Sequence, residues 1–518
     1  MSTLSGSRHF PRATPAPNGG GRPHWAVRHR GARRHALLGK AVAALVLTGG
    51  SGLLLAPGAA AGVSTLYVDG ATGHDQGACS TQSAQCATIA YALTQAAPGA
   101  TVYVARGTYA EQLSITRDVT IIGRSPGNTI LAPAAVVQND VGTDSATPQF
   151  AIIDIHGASG DLGAVNLENL TIDGRAAGAS SFNGCADNFP GVYFHDAGGL
   201  LRNDTITDVE MPPNLFGCQT GKGVGALVAT DAGHLSDVTM ARVTVKGFQK
   251  NGLECLDPGT TCTIENSVVT GAGPTSLTAQ NGVEIWGVSS LDFMHNKVTG
   301  DTYTGPSGPA QATGLLLLNA GTVTVRANKL SANDVDVYAG EVASFPPVAP
   351  AGTWTIRGNR LSNATDEAPP PWNVEGAGYG DGLAVDSTTN PVQVVGNRTG
   401  TDFEYGIALY GASGVTVRNN GAHRDYDGIY VGGPGSVGAA STHDTLKGNR
   451  AFYDGNDGIL ADVTAADSGN SFISNSMHHN ATFEAQDRSS GFGTAGTANS
   501  WVHDHCANPH AVSPAAVC

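Results

Sequence analysis

The chain has 518 residues, with 70 Gly, 26 Pro, 41% hydrophobic and only 14% charged side chains. This supplies a sizeable core and excludes a coiled coil, a charge-rich disordered chain and a basic nucleic-acid binder. The net charge of −15 hides two parts: residues 1–61 hold eight basic and no acidic side chains, leaving 20 basic against 43 acidic beyond them, a net −23. Such a surface repels nucleic acid and anionic membranes and tolerates neutral glycans better than polyuronates.

The first segment in chain order is an export signal. Its cations run from Arg8 to Lys40, an apolar run follows from Ala41 to Leu55, and Ala59-Ala60-Ala61 supplies a small-residue cleavage pattern. Arg33-Arg34-His35-Ala36-Leu37-Leu38 resembles a twin-arginine signal without its usual Phe. Gly49, Gly50, Gly52 and Pro57 interrupt the run and disfavour a membrane anchor. A secreted monomer with no membrane contact in its mature form follows. All eight cysteines lie beyond the signal. Cys79 with Cys86, Cys255 with Cys262 and Cys506 with Cys518 are close in sequence. Cys185 and Cys218 remain, each in a loop-like insertion, so four disulfides are expected. No Cys-x-x-Cys pair offers a zinc site.

Residues 62–135 read as a cap and first coils. Thr88 to Ala97 is the one helical pattern, with Ile89, Ala92, Leu93 and Ala96 on one face and Pro98-Gly99 as its stop. Residues 136–500 are a repeat. Polar-Gly-apolar-x-apolar segments recur at Gly191, Gly252, Gly282, Gly314, Gly382, Gly406, Gly428 and Gly458, and an extra coil is expected near Val335-Asp336-Val337. A second marker, apolar-x-apolar ending in Asn, recurs at Asn266, Asn296, Asn328, Asn359, Asn397, Asn419 and Asn449. Each unit holds about three short strands and cannot bury its apolar face alone, so the units stack into a three-sheet parallel solenoid. Gly takes backbone conformations that other residues resist at tight corners, and Asn repeated at one corner forms a ladder. Residues 501–518 read as a disulfide-closed C-terminal cap.

This pattern resembles the right-handed parallel β-helix repeat proteins of the pectate-lyase-like superfamily, over residues 64 to 505. The entry segment Thr65-Leu66-Tyr67-Val68-Asp69, the helix and Val119-Thr120-Ile121-Ile122-Gly123 add to the likeness. The resemblance implies an all-β, single-stranded right-handed β-helix with an N-terminal capping helix. It does not fix an activity, since the superfamily hosts lyases, hydrolases, esterases, epimerases and non-catalytic proteins.

Insertions at Ala176–Pro190, Glu210–Lys222, Asp301–Thr313, Glu341–Gly352 and Asn363–Gly380 line one edge of one sheet as a groove wall, or are length drift at exposed turns. The residue between the two apolar positions of each Gly segment faces outward. This gives a column of Tyr193, Glu254, Glu284, Leu316, Asp336, Ala384, Ala408, Tyr430 and Leu460. A second column holds His195, Asp257, Trp286, Leu318, Tyr338, Asp386, Tyr410, Gly432 and Asp462. Aromatic faces stack on sugars, and paired carboxylates hydrolyse glycosidic bonds. Tyr193, His195, Trp286, Tyr338, Asp386, Tyr410 and Tyr430 are therefore candidate substrate contacts. Glu254 with Glu284 is the candidate retaining pair, and Glu284 with Asp336 the inverting alternative. Outward acids on a soluble sheet are also often merely solvated. Asp381, Asp386 and Asp402, beside Glu404, are the densest acidic neighbourhood and the candidate Ca²⁺ site. Asp381, Asp427 and Asp457 precede the recurring Gly, where a turn role is the simpler reading. Arg424, in His423-Arg424-Asp425-Tyr426-Asp427, is the candidate base of a cation-dependent lyase or epimerase. A polysaccharide partner, cleaved or only held, is expected; a non-catalytic adhesion or structural solenoid is the alternative.

Overall fold

Alternation with period two decides the strands. Leu253 and Cys255, Val283 and Ile285, and Leu315 and Leu317 enter one continuous core, and the residue between each pair points away from it. The computed structural model describes residues 63–157, 162–177, 180, 182–219, 222–305, 311–341, 351–365, 380–388, 390–433, 439–462, 468–508 and 511–518. The export signal lies outside these, as do most of the insertions Glu341–Gly352 and Asn363–Gly380 and part of Asp301–Thr313.

The strands stack in parallel into three sheets. Sheet 1 has fifteen strands, from Val63–Val68 to Ser500–Val502. Sheet 2 has fourteen, from Leu113–Ile115 to Val512–Ser513. Sheet 3 has nine, from Gly107–Tyr109 to Arg360–Ser362, then a bridge at Arg398 and four more strands to His505–Cys506. The helix spans Ile89–Gln95, with Thr88 as N-cap; its Oγ1 accepts the Tyr91 N–H at 3.2 Å. The chain passes from it straight into strand Ala96–Val104, so Pro98-Gly99 lies within that strand instead of ending the helix. At the other end, the residues expected to cap the coil add one strand to each sheet.

The recurring glycine is demanded by close approach and not by a left-handed backbone. A Cβ on Gly225 would lie 2.3 Å from the Gly252 carbonyl oxygen, and one on Gly252 2.5 Å from that of Gly282. Gly225 belongs to a coil, Val224–Ala229, that the repeat reading passed over. The expected extra coil is present as Val335–Gly340.

The asparagine ladder forms at the corner between sheets 1 and 3. Asn296, Asn328, Asn359, Asn397, Asn420, Asn449 and Asn475 each accept, through Oδ1, the backbone N–H of the preceding rung at 2.8–3.0 Å. The residue before each rung takes the left-handed backbone, as at His295 (φ 57°), Gly358 (φ 63°) and Asn419 (φ 55°). Asn266 and Asn419 occupy that slot, and Ser267 and Asn420 are the rungs. All four disulfides pair as expected: Cys79–Cys86, Cys185–Cys218, Cys255–Cys262 and Cys506–Cys518. They fit an extracellular or periplasmic protein. Among the described residues no helix is long and apolar enough to cross a membrane.

Candidate functional site

Strand register on sheet 2 places Asp154, Tyr193, Leu227, Glu254, Glu284, Leu316, Tyr338, Ala384, Ala408 and Tyr430 in one outward column. The next outward column holds His156 and His195, then Leu256, Trp286, Leu318 and Gly340, then Asp386 and Tyr410. Two expectations need correction. Asp336 is not outward: it takes the glycine slot of its strand, and its carboxylate accepts Asn333 Nδ2 at 2.7 Å and the Ser362 N–H at 2.7 Å. Tyr338, two residues on, fills the place given to Asp336. Asp257 is likewise displaced by Leu256 and turns out of the strand with φ 76°.

Glu254 and Glu284 are register partners on adjacent strands, about 4.8 Å apart. They point away from the core, yet each is nearly covered, at 6% and 8% exposure. Glu284 Oε2 accepts Asn281 Nδ2 at 3.0 Å. Burial, reinforced by the neighbouring Glu284, pushes the Glu254 carboxyl up to about 8. Lys222 and Lys250 lie close enough to act on it, and burial lowers both amines. Lys222 Nζ donates to Asn188 Oδ1 and Lys250 Nζ to the Ala279 carbonyl, each at 2.5 Å. Beside the pair, Trp286, Leu316 and Tyr338 are half-buried. The arrangement offers a protonated acid next to a second carboxylate, with an indole and a phenol alongside.

A second cluster lies at the N-terminal end of the same face. The antiparallel pair Asp140–Val141 and Pro148–Gln149 brings Asp140 over sheet 2. Asp140 Oδ2 sits 2.9 Å from His156 Nδ1 and 2.8 Å from His195 Nδ1, and His195 Nε2 lies 3.4 Å from Asp231 Oδ1. Burial opposes the His195 charge, but Asp140 and Asp231 hold its imidazolium up to about 9. Burial, with Asp140 beside it, pushes Asp154 up to about 8. Tyr193 stacks on His195 with centroids 5.1 Å apart. Asp140 with His156 and His195, and His195 with Asp196 and Asp231, are the groups among the described residues that could hold a metal ion. Two imidazoles with a carboxylate suit a borderline ion such as Zn²⁺ better than Ca²⁺. Sequence reading found His195 but missed His156 and Asp140. Ile153-Asp154-Ile155-His156 carries the same alternation as Val192-Tyr193-Phe194-His195 without the Gly marker, and that was the available signal.

The remaining expected residues are dispersed. The three acids proposed for Ca²⁺ are engaged separately. Asp381 Oδ2 accepts Tyr410 Oη at 2.8 Å, Asp386 accepts Tyr338 Oη and the Ser387 hydroxyl, and Asp402 Oδ1 accepts the Ala364 N–H at 2.9 Å. Asp427 and Asp457 accept backbone N–H groups of the following coil, which is the turn role. Tyr430 stacks on Tyr405 at 4.4 Å and is buried with Tyr410 in an apolar cluster on the outer face. Tyr193, His195 and Asp386 are also buried, so Trp286 and Tyr338 are the expected sugar contacts that keep open surface. Arg424 is an exposed turn residue with φ 60°, six rungs or about 29 Å along the axis from Glu254.

A family model described as a right handed beta helix region matches residues 224–422. Among solved structures, the pre-mature bacteriophage phi29 gene product 12 aligns over 80% of this chain and 53% of its own, at 12% identity and TM-score 0.50. The present chain thus spans about half of that protein. The periplasmic alginate epimerase AlgG aligns over 79% of this chain and 77% of its own, at 10% identity and TM-score 0.41. The catalytic unit of the GH87 alpha-1,3-glucanase from Streptomyces thermodiastaticus aligns over 80% of this chain and 64% of its own, at 14% identity and TM-score 0.44. No curated protein matches the chain in sequence. The protein is a solenoid of parallel β-coils. More particularly, it is a right-handed parallel β-helix protein.

Proposed function

We propose that the outer face of sheet 2 binds an extracellular polysaccharide and that Glu254 and Glu284 cleave it as a retaining pair. The observation that carries this reading is the register pairing of the two carboxylates, with Glu254 held up to about 8. A protonated Glu254 donates its proton to the glycosidic oxygen as that bond breaks. Glu284 forms the bond to the anomeric carbon. Water then displaces Glu284, giving its proton to Glu254. One rung of about 4.8 Å is close to the ~5–5.5 Å of retaining pairs and short of the ~6.5–9.5 Å an inverting water needs. Trp286 and Tyr338 supply stacking surfaces for the sugar rings.

The test is a panel of neutral and acidic glycans incubated with the full chain, with products resolved by mass. Hydrolysis products, and their loss by about 10²–10⁴-fold in Glu254→Gln and in Glu284→Gln, are the expected result. Full activity in either variant rejects the pair. The contacts of Lys222 and Lys250 with the Glu254 region favour a second reading, a buried ionic network in a binding or structural solenoid. That reading predicts glycan binding without products, and a loss of stability in both variants.

A further inference from the structure

The asparagine corner carries a feature that the overall acidity conceals. Three of the short turns there have cations on both sides, Arg326-Ala327-Asn328-Lys329, Arg357-Gly358-Asn359-Arg360 and Lys447-Gly448-Asn449-Arg450, and those at Asn296, Asn397 and Asn420 have one. Register aligns them in two columns. On sheet 1 the column runs Arg326, Arg357, Val395, Arg418 and Lys447. On sheet 3 it runs Lys297, Lys329, Arg360, Arg398, Gly421 and Arg450. Nine cations thus occupy six consecutive coils over about 24 Å. Eight are exposed and Arg326 is half-buried. Among the described residues none of the nine forms an ion pair; upstream in the sheet 1 column, Arg202 is paired with Glu168.

The columns break at Gly421, and the surface is concave there. A concavity of about 690 Å³ has Arg398 and Arg450 on either side of Gly421, with His423 and Phe452 on its wall. Those two rings stack at 5.5 Å. A Cβ on Gly421 would meet nothing within 4 Å, so this space is open and not filled by packing. Holding so many like charges at one-rung spacing with no acid between them is unfavourable in isolation, and a ligand of opposite charge relieves it.

We propose that this corner is a binding surface for a linear polyanionic glycan, one bearing carboxylates or sulfates, lying along the solenoid axis. Its anionic groups pair with the two cation columns, and one ring seats between Arg398 and Arg450 against Phe452. The cation ladder supplies charge at every coil, as a polymer of repeating charge requires, and the aromatic wall suits a pyranose face. The site is on a different face from Glu254 and does not depend on catalysis there. It also reverses the inference from net charge that polyuronates are disfavoured.

The experiment measures binding of the full chain to polygalacturonate, dextran sulfate, neutral dextran and single-stranded DNA, at about 0.01 M and about 0.15 M salt. Tight binding to one or both anionic glycans, weakened about tenfold or more at the higher salt, is expected. The tighter of the two identifies carboxylate or sulfate as the preferred group. Arg398→Ala/Arg450→Ala loses about tenfold or more in affinity, while Arg175→Ala/Arg488→Ala, with the same charge change elsewhere, stays within about twofold. Absence of anionic-glycan binding overturns the proposal. So does equal binding by neutral dextran, tighter binding of the DNA, or an Arg398→Ala/Arg450→Ala protein that binds like the parent. Glu284→Gln retains this binding, so failure of the hydrolase reading leaves a distinct signature.

Discussion

On sheet 2 the carboxylates turn outward and are nevertheless covered, with Asp154, Glu254 and Asp386 at 3%, 6% and 6% exposure. At the asparagine corner eight of the nine column cations stand in solvent, and among the described residues none of the nine forms an ion pair. The first region accommodates its acids by protonating them and by hydrogen bonds from neighbouring side chains. The second keeps its charge by exposure alone. A charge that is buried is tied to stability, and a charge that is exposed is free to serve a ligand.

Substitutions on one short turn test this contrast most strongly. Asn359 Oδ1 accepts the Asn328 N–H at 2.9 Å, and its Nδ2 donates to the Val325 carbonyl at 3.0 Å. Asn359→Leu leaves both groups unsatisfied and should cost about 3 kcal/mol in urea unfolding. Arg360→Ala, the next residue, should change stability by less than about 0.5 kcal/mol and act on polyanion binding instead. A destabilised Arg360→Ala protein would break the distinction. Glycines give a slightly smaller contrast. Gly252→Ala forces a Cβ against the Gly282 carbonyl and should cost about 1–3 kcal/mol, whereas Gly421→Ala should be close to neutral.

pH separates the regions next. Glu254 and Asp154 are raised from ordinary values of 4.5 and 3.8 to about 8, and Asp402 to about 7, so the folded chain holds protons that the unfolded chain releases. His195 is raised from 6.5 to about 9, and its contribution is complete below 6.5 and lost as pH rises through 9. Both effects run the same way: stability falls between pH of about 5 and about 9. The unfolding midpoint should drop over that range, and Glu254→Gln should make the drop shallower. A rising midpoint would contradict the buried, protonated state of the sheet 2 acids. The smallest effect is that of salt without ligand: screening the cation columns should raise the unfolding free energy by about a few tenths of a kcal/mol.

Much of the fold was legible because its signals are periodic. Glycine at the close-approach slot and asparagine near the corner recur in most coils, so stacking, the extra coil at Val335 and the ladder could be read from spacing. The errors came where one coil departs from the pattern. Asp336 replaces the glycine, so counting from it shifted the outward column by two residues and misplaced Tyr338. The coil at Val224, just beyond the insertion Glu210–Lys222, was missing from the recurring Gly segments. Burial of Tyr193, Tyr410 and Tyr430 was not legible, since alternation tells which way a side chain points and not what lies over it. The cation columns are present in the sequence as residues flanking most of the ladder asparagines, but net charge averages them away.

The asparagine ladder has a direction. The backbone N–H of every rung is taken by the side chain of the coil that follows it, while the amide Nδ2 of each Asn reaches back to a carbonyl of the coil before. During synthesis, each turn therefore emerges with donors that wait for residues not yet made. The series closes at Asp504, whose Oδ1 accepts the Asn475 N–H at 2.7 Å. A carboxylate accepts and has no amide hydrogens to place, so the side chain of the final rung asks nothing of a successor.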